Sequence, residues 1–186
     1  MTEPPPAAIV LAAGGSKRLG QPKQLVRLAG EPLVRRAARM AIEAGCSPVV
    51  VVLGAAEAGC RRALAGLQPA PHVVVNERWQ EGMSGSLRVG LGELESALGD
   101  ARLTRPQSAL MLVCDQVRLT TAGLEELVRV HASGDWLVTA ARYGGRLGVP
   151  AIFRAELWPE LARLSGDQGA RRLLEQLLEQ SPGRTA

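Results

Sequence analysis

The chain has 186 residues, 46% hydrophobic and 22% charged, with a net charge of +4 at neutral pH and a pI near 9.5. This is the ordinary mixture of one soluble domain with a substantial core. It argues against nucleic-acid binding, because the basic residues are scattered with no aromatic residues between them, and a phosphorylated small molecule explains the basic bias equally well. No apolar run approaches the length of a membrane span, and the N-terminal MTEPPPAA is acidic and proline-rich rather than a targeting segment, so a cytoplasmic protein is expected. Cys46, Cys60 and Cys114 are widely spaced and form no C-x-x-C pair, which fits buried thiols in a reducing compartment. With aromatics at 3%, the core falls to Leu, Val, Ala and Ile, the usual content of a helix-covered parallel sheet.

Residues 1–6 read as a flexible leader, since Pro4, Pro5 and Pro6 have no N–H to give a sheet, and 7–186 read as one domain without repeat or linker. Residues 7–12 predict a buried strand that runs into a glycine-rich turn. Leu33, Ala37, Met40 and Ala41 recur at helical spacing over 32–44, and Gly45 ends that helix. A second buried strand is expected at 49–53, followed by Gly54, a helix at 57–65, and a strand at 72–75 that ends at Asn76. Leu87, Leu91, Leu94 and Leu98 mark the next helix, with Ser84 or Ser86 as its N-cap and an end near Gly99. The strand 109–113 leads to Asp115, and the amphipathic helix 120–132 starts at a capping Thr120 or Thr121. Strands at 136–141 and 149–153 flank a polar turn, and helices at 155–164 and 168–179 close the chain. Strands alternating with helices predict a three-layer, Rossmann-like α/β/α sandwich with a mostly parallel sheet.

Ligands of such a sheet bind outside the carboxyl ends of its strands. The loop after the first strand, Gly54, Asn76 and Asp115 each follow a predicted strand, so all should meet at one edge. The stretch AIVLAAGGSKRLGQPK, residues 8–23, brings Gly14, Gly15 and Ser16 together with Lys17, Arg18 and Lys23. Glycines let backbone N–H groups approach phosphate oxygens, and the cations offset their charge. It is not a Walker A loop, since Gln21 follows Gly20, and its glycines miss the G-x-G-x-x-G spacing. Asp115 reads either as a turn former or as one of the one or two carboxylates that Mg2+ needs beside a triphosphate. G-M-S-G-S, residues 82–86, comes near a nucleophile elbow, and Ser84, Asp115 and His131 follow the hydrolase order. Ser86 stands where that elbow needs glycine, however, and His131 can be a core residue. Asp167 can cap the last helix, and Arg171 can be an exposed helix charge.

The loop L-A-A-G-x-S-x-R-x-G-x-x-K, carried by Leu11, Ala12, Ala13, Gly14, Ser16, Arg18, Gly20 and Lys23, resembles the signature of the MobA-like nucleotidyltransferases. Its A-A-G form, with P-K-Q-L after it, looks most like the molybdenum-cofactor cytidylyltransferases. The resemblance implies transfer of CMP from CTP to a molybdopterin-type acceptor, with Mg2+ on Asp115 and charge offset by Arg18 and Lys23. It puts Leu11, Ala12, Ala13, Gly14, Gly15, Ser16, Lys23, Asn76, Gly82 and Ser84 around the nucleotide, where Gly54 at the same strand-end edge is expected to join them. It also puts Gly148, Pro150, Asp167 and Arg171 near the acceptor, with Asp167 as a second metal ligand, and a molybdenum hydroxylase as a possible partner. Three departures stand out: Val117 replaces the proline of C-D-Q-P, Val149 replaces the histidine of G-H-P, and the sequence ends in SPGRTA where relatives continue into an acidic segment. Transfer to another phosphorylated acceptor such as a sugar phosphate, or a non-catalytic carrier, are the alternatives.

Overall fold

In the computed structural model, residues 4–97, 106–166 and 170–186 are described, apart from the side chains of 97, 171, 172 and 182. The elements in chain order are β1 (Ala7–Leu11), β2 (Arg27–Leu28), β3 (Glu31–Pro32), α1 (Leu33–Glu43), β4 (Val49–Leu53), α2 (Glu57–Leu64), β5 (His72–Val75), α3 (Met83–Ala97), β6 (Ser108–Val113), α4 (Thr121–Ala132), β7 (Val138–Tyr143), β8 (Arg146–Arg154), α5 (Trp158–Arg163) and α6 (Arg171–Gln180). Among the described residues the main sheet has six strands in the order β5-β4-β1-β6-β8-β7. β5, β4, β1 and β6 run parallel, and β8 runs antiparallel to both β6 and β7.

Strand residues alternate between two apolar layers, as period-two geometry requires. Ile9, Val50, Val52, Met111 and Phe153 face Leu87, Leu94, Leu161 and Leu174 of α3, α5 and α6. Val10, Val51, Leu53, Leu112 and Ile152 face Val34, Ala38, Leu64 and Leu124 of α1, α2 and α4. The three-layer α/β/α arrangement expected from the sequence is therefore present, with helices on both faces. No helix among the described residues is long and apolar enough to cross a membrane.

Two local expectations need correction. The polar stretch 142–148 is strand for most of its length: Gly144 and Gly145, at φ +55° and +80°, close a two-residue hairpin, and β7 and β8 continue to either side. Glycine accepts both positive angles without penalty, so the turn shrinks to its minimum. Neither Ser84 nor Ser86 caps a helix, because α3 already begins at Met83 and both serines lie inside its first turn. Thr120 does cap α4, its Oγ1 accepting from the Gly123 N–H at 3.1 Å. The outer edge of β7 is covered by the last residues, with Ala140 N donating to Ala186 O at 2.7 Å and Leu137 N to Arg184 O at 2.9 Å. This pairing covers the edge from Leu137 to Ala140.

Candidate functional site

The loop after β1 is held from behind by a buried glutamine. Gln24, 0% exposed, donates its Nε2 to Ala12 O at 2.9 Å and to Gly14 O at 2.6 Å. Its Oε1 accepts from Ser16 Oγ at 3.4 Å, and that hydroxyl accepts from the Lys23 N–H at 2.9 Å. Ser16 itself is held at φ +52°. These bonds fasten both ends of the loop to one side chain. Trp79 presses on it from the side: a Cβ on Gly15 would lie 2.5 Å from the indole, and one on Gly54 would lie 2.6 Å from Ala13 O. A Cβ on Gly14 or Gly20 would meet nothing within 4 Å, so the loop's other side is open.

That open side lines two adjoining clefts. The first, of about 320 Å³, has Leu11, Ala12, Ala13, Gly14, Gly15 and Lys23 on one wall. Trp79, Gly82, Met83 and Ser86 form the other. The second, of about 310 Å³, lies between Ser16, Arg18, Lys23 and Asp115. Lys23 belongs to both, and its Nζ donates to Asp115 Oδ2 at 2.8 Å. The loop and the strand-end acid, 92 residues apart in sequence, therefore meet through a direct ion pair. Among the described residues, Lys17 and Arg18 face the clefts with no ion-pair partner. The Lys23–Asp115 pair is 36% and 39% exposed, which limits its contribution to about 1 kcal/mol or less. A more highly charged ligand can break it.

Other sequence-predicted site residues support the clefts rather than line them. Asn76 is 5% exposed, with Nδ2 donating to Ser86 Oγ at 3.0 Å and Oδ1 accepting from the Arg78 N–H at 3.0 Å, so its amide shapes the turn into α3. Ser84 is buried and donates to Gly166 O at 2.7 Å. Gly54 supplies the close packing against Ala13 and Trp79. Gly148 and Pro150 lie in β8, on the far side of Asp115 from the glycine loop. Asp167 lies outside the described residues, and Arg171 opens α6.

Three contributors escaped the sequence reading. Gln24 was visible only as the Q of P-K-Q-L, and Trp79 only as a residue in the gap before the serines. Gln116, the Q of C-D-Q, accepts from the Val113 N–H at 3.3 Å and donates to Val149 O at 2.6 Å. It clamps the Asp115 turn between β6 and β8. A buried glutamine among loop glycines is the signal that could have marked the first, since an amide carries both donors and an acceptor to a backbone that needs them.

The hydrolase arrangement is excluded by its partners. Ser84 bonds Gly166 O, Asp115 bonds Lys23, and His131 is buried on α4 with Nδ1 2.9 Å from Thr139 Oγ1. Burial, with Arg154 adding to it, pushes the His131 pKa down to about 4, so the ring is neutral at pH 7. Burial also pushes the thiols up, Cys46 and Cys114 to about 12 and Cys60 to about 11. They are protonated and make poor nucleophiles.

Among the described residues no group of three or more His, Cys, Asp or Glu side chains could hold a metal by itself. Asp115 is a single carboxylate already facing a cation, the Lys23 ammonium. That suits Mg2+, which takes one or two carboxylates and completes its octahedron with phosphate and water. A resident all-protein metal site is not formed by these residues.

A glycine loop at the head of β1, a basic lip and an acid at the end of β6 define a class of α/β proteins that handle nucleoside phosphates at the carboxyl edge of the sheet. Residues 8–181 match the model of the MobA-like NTP transferase domain, and the chain belongs to that family. It is 36% identical to nicotine blue oxidoreductase of Paenarthrobacter nicotinovorans over 178 residues, 90% of this chain and 80% of that one. A 46-residue stretch is 50% identical to a protein of Opitutus terrae described as a probable molybdenum cofactor guanylyltransferase, covering 25% of this chain and 23% of the other. Among solved structures, Rv0371c of Mycobacterium tuberculosis H37Rv superposes with a TM-score of 0.76 at 32% identity over 94% of this chain and 84% of its own. Its complex with manganese superposes with a TM-score of 0.71 at 29% identity, over 92% and 82%.

Proposed function

We propose that the protein transfers a nucleotide, CMP from CTP by the A-A-G form of its loop, to the terminal phosphate of a molybdopterin-type acceptor, releasing pyrophosphate. The observation that carries this reading is the 2.8 Å contact between Lys23 Nζ and Asp115 Oδ2, which joins the glycine loop and the strand-end acid in one pair of clefts. The base and ribose would occupy the cleft between Ala12–Ala13 and Gly82–Met83, shaped by Asn76 through Ser86. Gly14, Gly15 and Ser16 would cradle the phosphates, and Arg18 would offset charge on the departing pyrophosphate. Asp115 would hold Mg2+, with Asp167 as a candidate second ligand. The manganese complex of the related Rv0371c supports a divalent metal.

Bound metal would supply charge neutralisation between the phosphates. The chain's residues do the rest by alignment. Nucleotide arrival shifts Lys23 from the Asp115 carboxylate to the triphosphate, freeing that carboxylate at the moment the phosphates enter. An oxygen of the acceptor's phosphate, already ionised near neutrality, attacks the α-phosphorus as the bond to the β-phosphate oxygen breaks. No general base is needed, and positioning and charge stabilisation carry the rate. Gly148, Pro150 and Arg171 lie on the acceptor's side in this reading. The buried, protonated thiols favour a reducing cytoplasm.

A second reading comes from the Paenarthrobacter relative, whose name is that of an oxidoreductase. A loop that cradles a triphosphate has the groups to cradle a dinucleotide's pyrophosphate. One experiment separates the two. The protein is mixed in single turnover with CTP or GTP, Mg2+ and molybdopterin, and in parallel with NADPH and a quinone acceptor. Magnesium-dependent pyrophosphate release with CTP, and none with GTP, is the expected result. NADPH oxidation without pyrophosphate release would replace the transferase reading, and CTP binding without release would make the protein a carrier that serves a molybdenum hydroxylase.

A further inference from the structure

Trp79 belongs to neither apolar layer of the core, yet the turns that follow three neighbouring strands meet on it. It opens the short 3-10 turn Trp79–Glu81 after β5. A Cβ on Gly54, just past β4, would lie 2.9 Å from the Trp79 Cβ. One on Gly15, in the loop after β1, would lie 2.5 Å from Cη2 and Cζ3, at the far edge of the indole. Because β5, β4 and β1 are consecutive in the sheet, this side chain links the outermost strand to the loop of the next strand but one, about 10 Å away at the usual strand spacing. At its root the Asn76 amide accepts from the Arg78 N–H and donates to Ser86 Oγ, both at 3.0 Å, which ties the turn to the start of α3. Trp136 and Trp158 bury their indole N–H groups. Trp79 is half-buried, and it lines the cleft of about 320 Å³ whose walls are the glycine loop and the start of α3.

We propose that Trp79 is a positioning residue that couples the two halves of the nucleotide site, so that a base in the cleft and phosphates on the loop strengthen each other's binding. The inference rests on the nucleotidyl-transfer reading and adds to it a residue outside the glycine-loop signature. The loop has one brace behind it, Gln24, and one beside it, Trp79. Gln24 is fully buried and out of a ligand's reach, whereas Trp79 lines the cleft, so it is the brace that a ligand can touch. A base entering the cleft packs on the indole and presses it onto Gly15, which fixes the backbone that receives the phosphates. Phosphates arriving first fix the same contact from the other side. Whichever half comes second finds the contact already made, and by linkage the gain is the same in either order. A wall that touched the base alone would leave the two halves independent.

Cytidine and pyrophosphate, which together make CTP less one phosphate, are the probes, with CTP measured on the same samples. Calorimetry on the full chain with Mg2+ gives the affinity for each half alone and with the other half saturating. In the wild type each half is expected to tighten the other by about fivefold or more. Trp79→Phe keeps an aromatic wall but withdraws the outer ring edge from Gly15. It should remove the coupling and weaken CTP by the same factor, with cytidine alone bound nearly as in the wild type. Trp79→Ala, which also removes the wall, should weaken cytidine as well. A side chain that merely packed would lower the separate affinities and leave the coupling factor unchanged. Trp79 lies outside both core layers, so both variants should unfold near the wild-type temperature. The proposal is overturned if the two halves do not tighten one another in the wild type, or if the coupling survives in both variants. Either result in a chain that binds CTP removes this inference alone. A wild-type chain that binds neither CTP nor pyrophosphate removes the transferase reading and this inference with it, so the two failures are distinct.

Discussion

The two flanks of Asp115 are built on opposite principles. On the β1 side the wall that the loop supplies is largely main chain: Gly14 and Gly15 carry no side chain, and Gln24 holds the carbonyls of Ala12 and Gly14 from beneath. On the β7–β8 side the walls are side chains, Val117, Tyr143 and Val149, anchored by the single amide of Gln116. Where backbone meets ligand, few residue types are possible, because any Cβ on Gly15 would strike Trp79. Where side chains form a wall, substitution changes its shape and polarity without disturbing the backbone.

The sharpest way to break this contrast is at Gln24. Gln24→Leu keeps the approximate volume but leaves two inward carbonyls without donors, at a cost of about 2–4 kcal/mol. Thermal unfolding should record that loss, and CTP binding should weaken by at least tenfold. If Gln24→Leu unfolds at the wild-type temperature and binds CTP as tightly, the amide does not hold the loop and the contrast is false.

The difference between the flanks also explains what could be read from the sequence. The strands at 49–53 and 72–75 lie where their apolar runs put them: Val49–Leu53 is buried throughout, as a central strand covered on both faces requires, and Val73, Val74 and Val75 form the half-buried edge. The glycine loop and Asp115 were legible as neighbours, since each follows a strand of one parallel sheet, and Lys23 joins them at 2.8 Å. The serines were misread as caps because capping preference is local, whereas Ser84 and Ser86 are claimed by Gly166 and Asn76 from elsewhere in the chain. The length of the β7–β8 hairpin was hidden by its polar residues: an edge pair with one solvated face need not look apolar. Trp79 and Gln116 act through contacts with residues distant in sequence, which periodicity cannot report.

A smaller effect sharpens the contrast from the other side. His131 sits on α4 against β7, and burial holds its folded pKa near 4, below the ordinary value of 6.5. Between those values the unfolded chain binds the extra proton, so stability is complete above pH 6.5 and declines as the pH falls toward 4. The loss is about 3 kcal/mol by linkage. Urea midpoints measured from pH 7 to pH 4 should show this decline, and His131→Gln should flatten it. An unchanged slope in the variant would assign the acid sensitivity to other groups.

The claim that joins both flanks is that the glycine loop and Asp115 bind one metal-loaded nucleotide together. Its most direct test is CTP affinity by calorimetry with and without Mg2+, in the wild-type chain and in Asp115→Asn. The account predicts that Mg2+ tightens CTP binding at least tenfold in the wild type, as the Lys23–Asp115 pair opens. In the variant that gain should disappear, with metal-free binding intact or slightly stronger. Equal magnesium dependence in both proteins would contradict it.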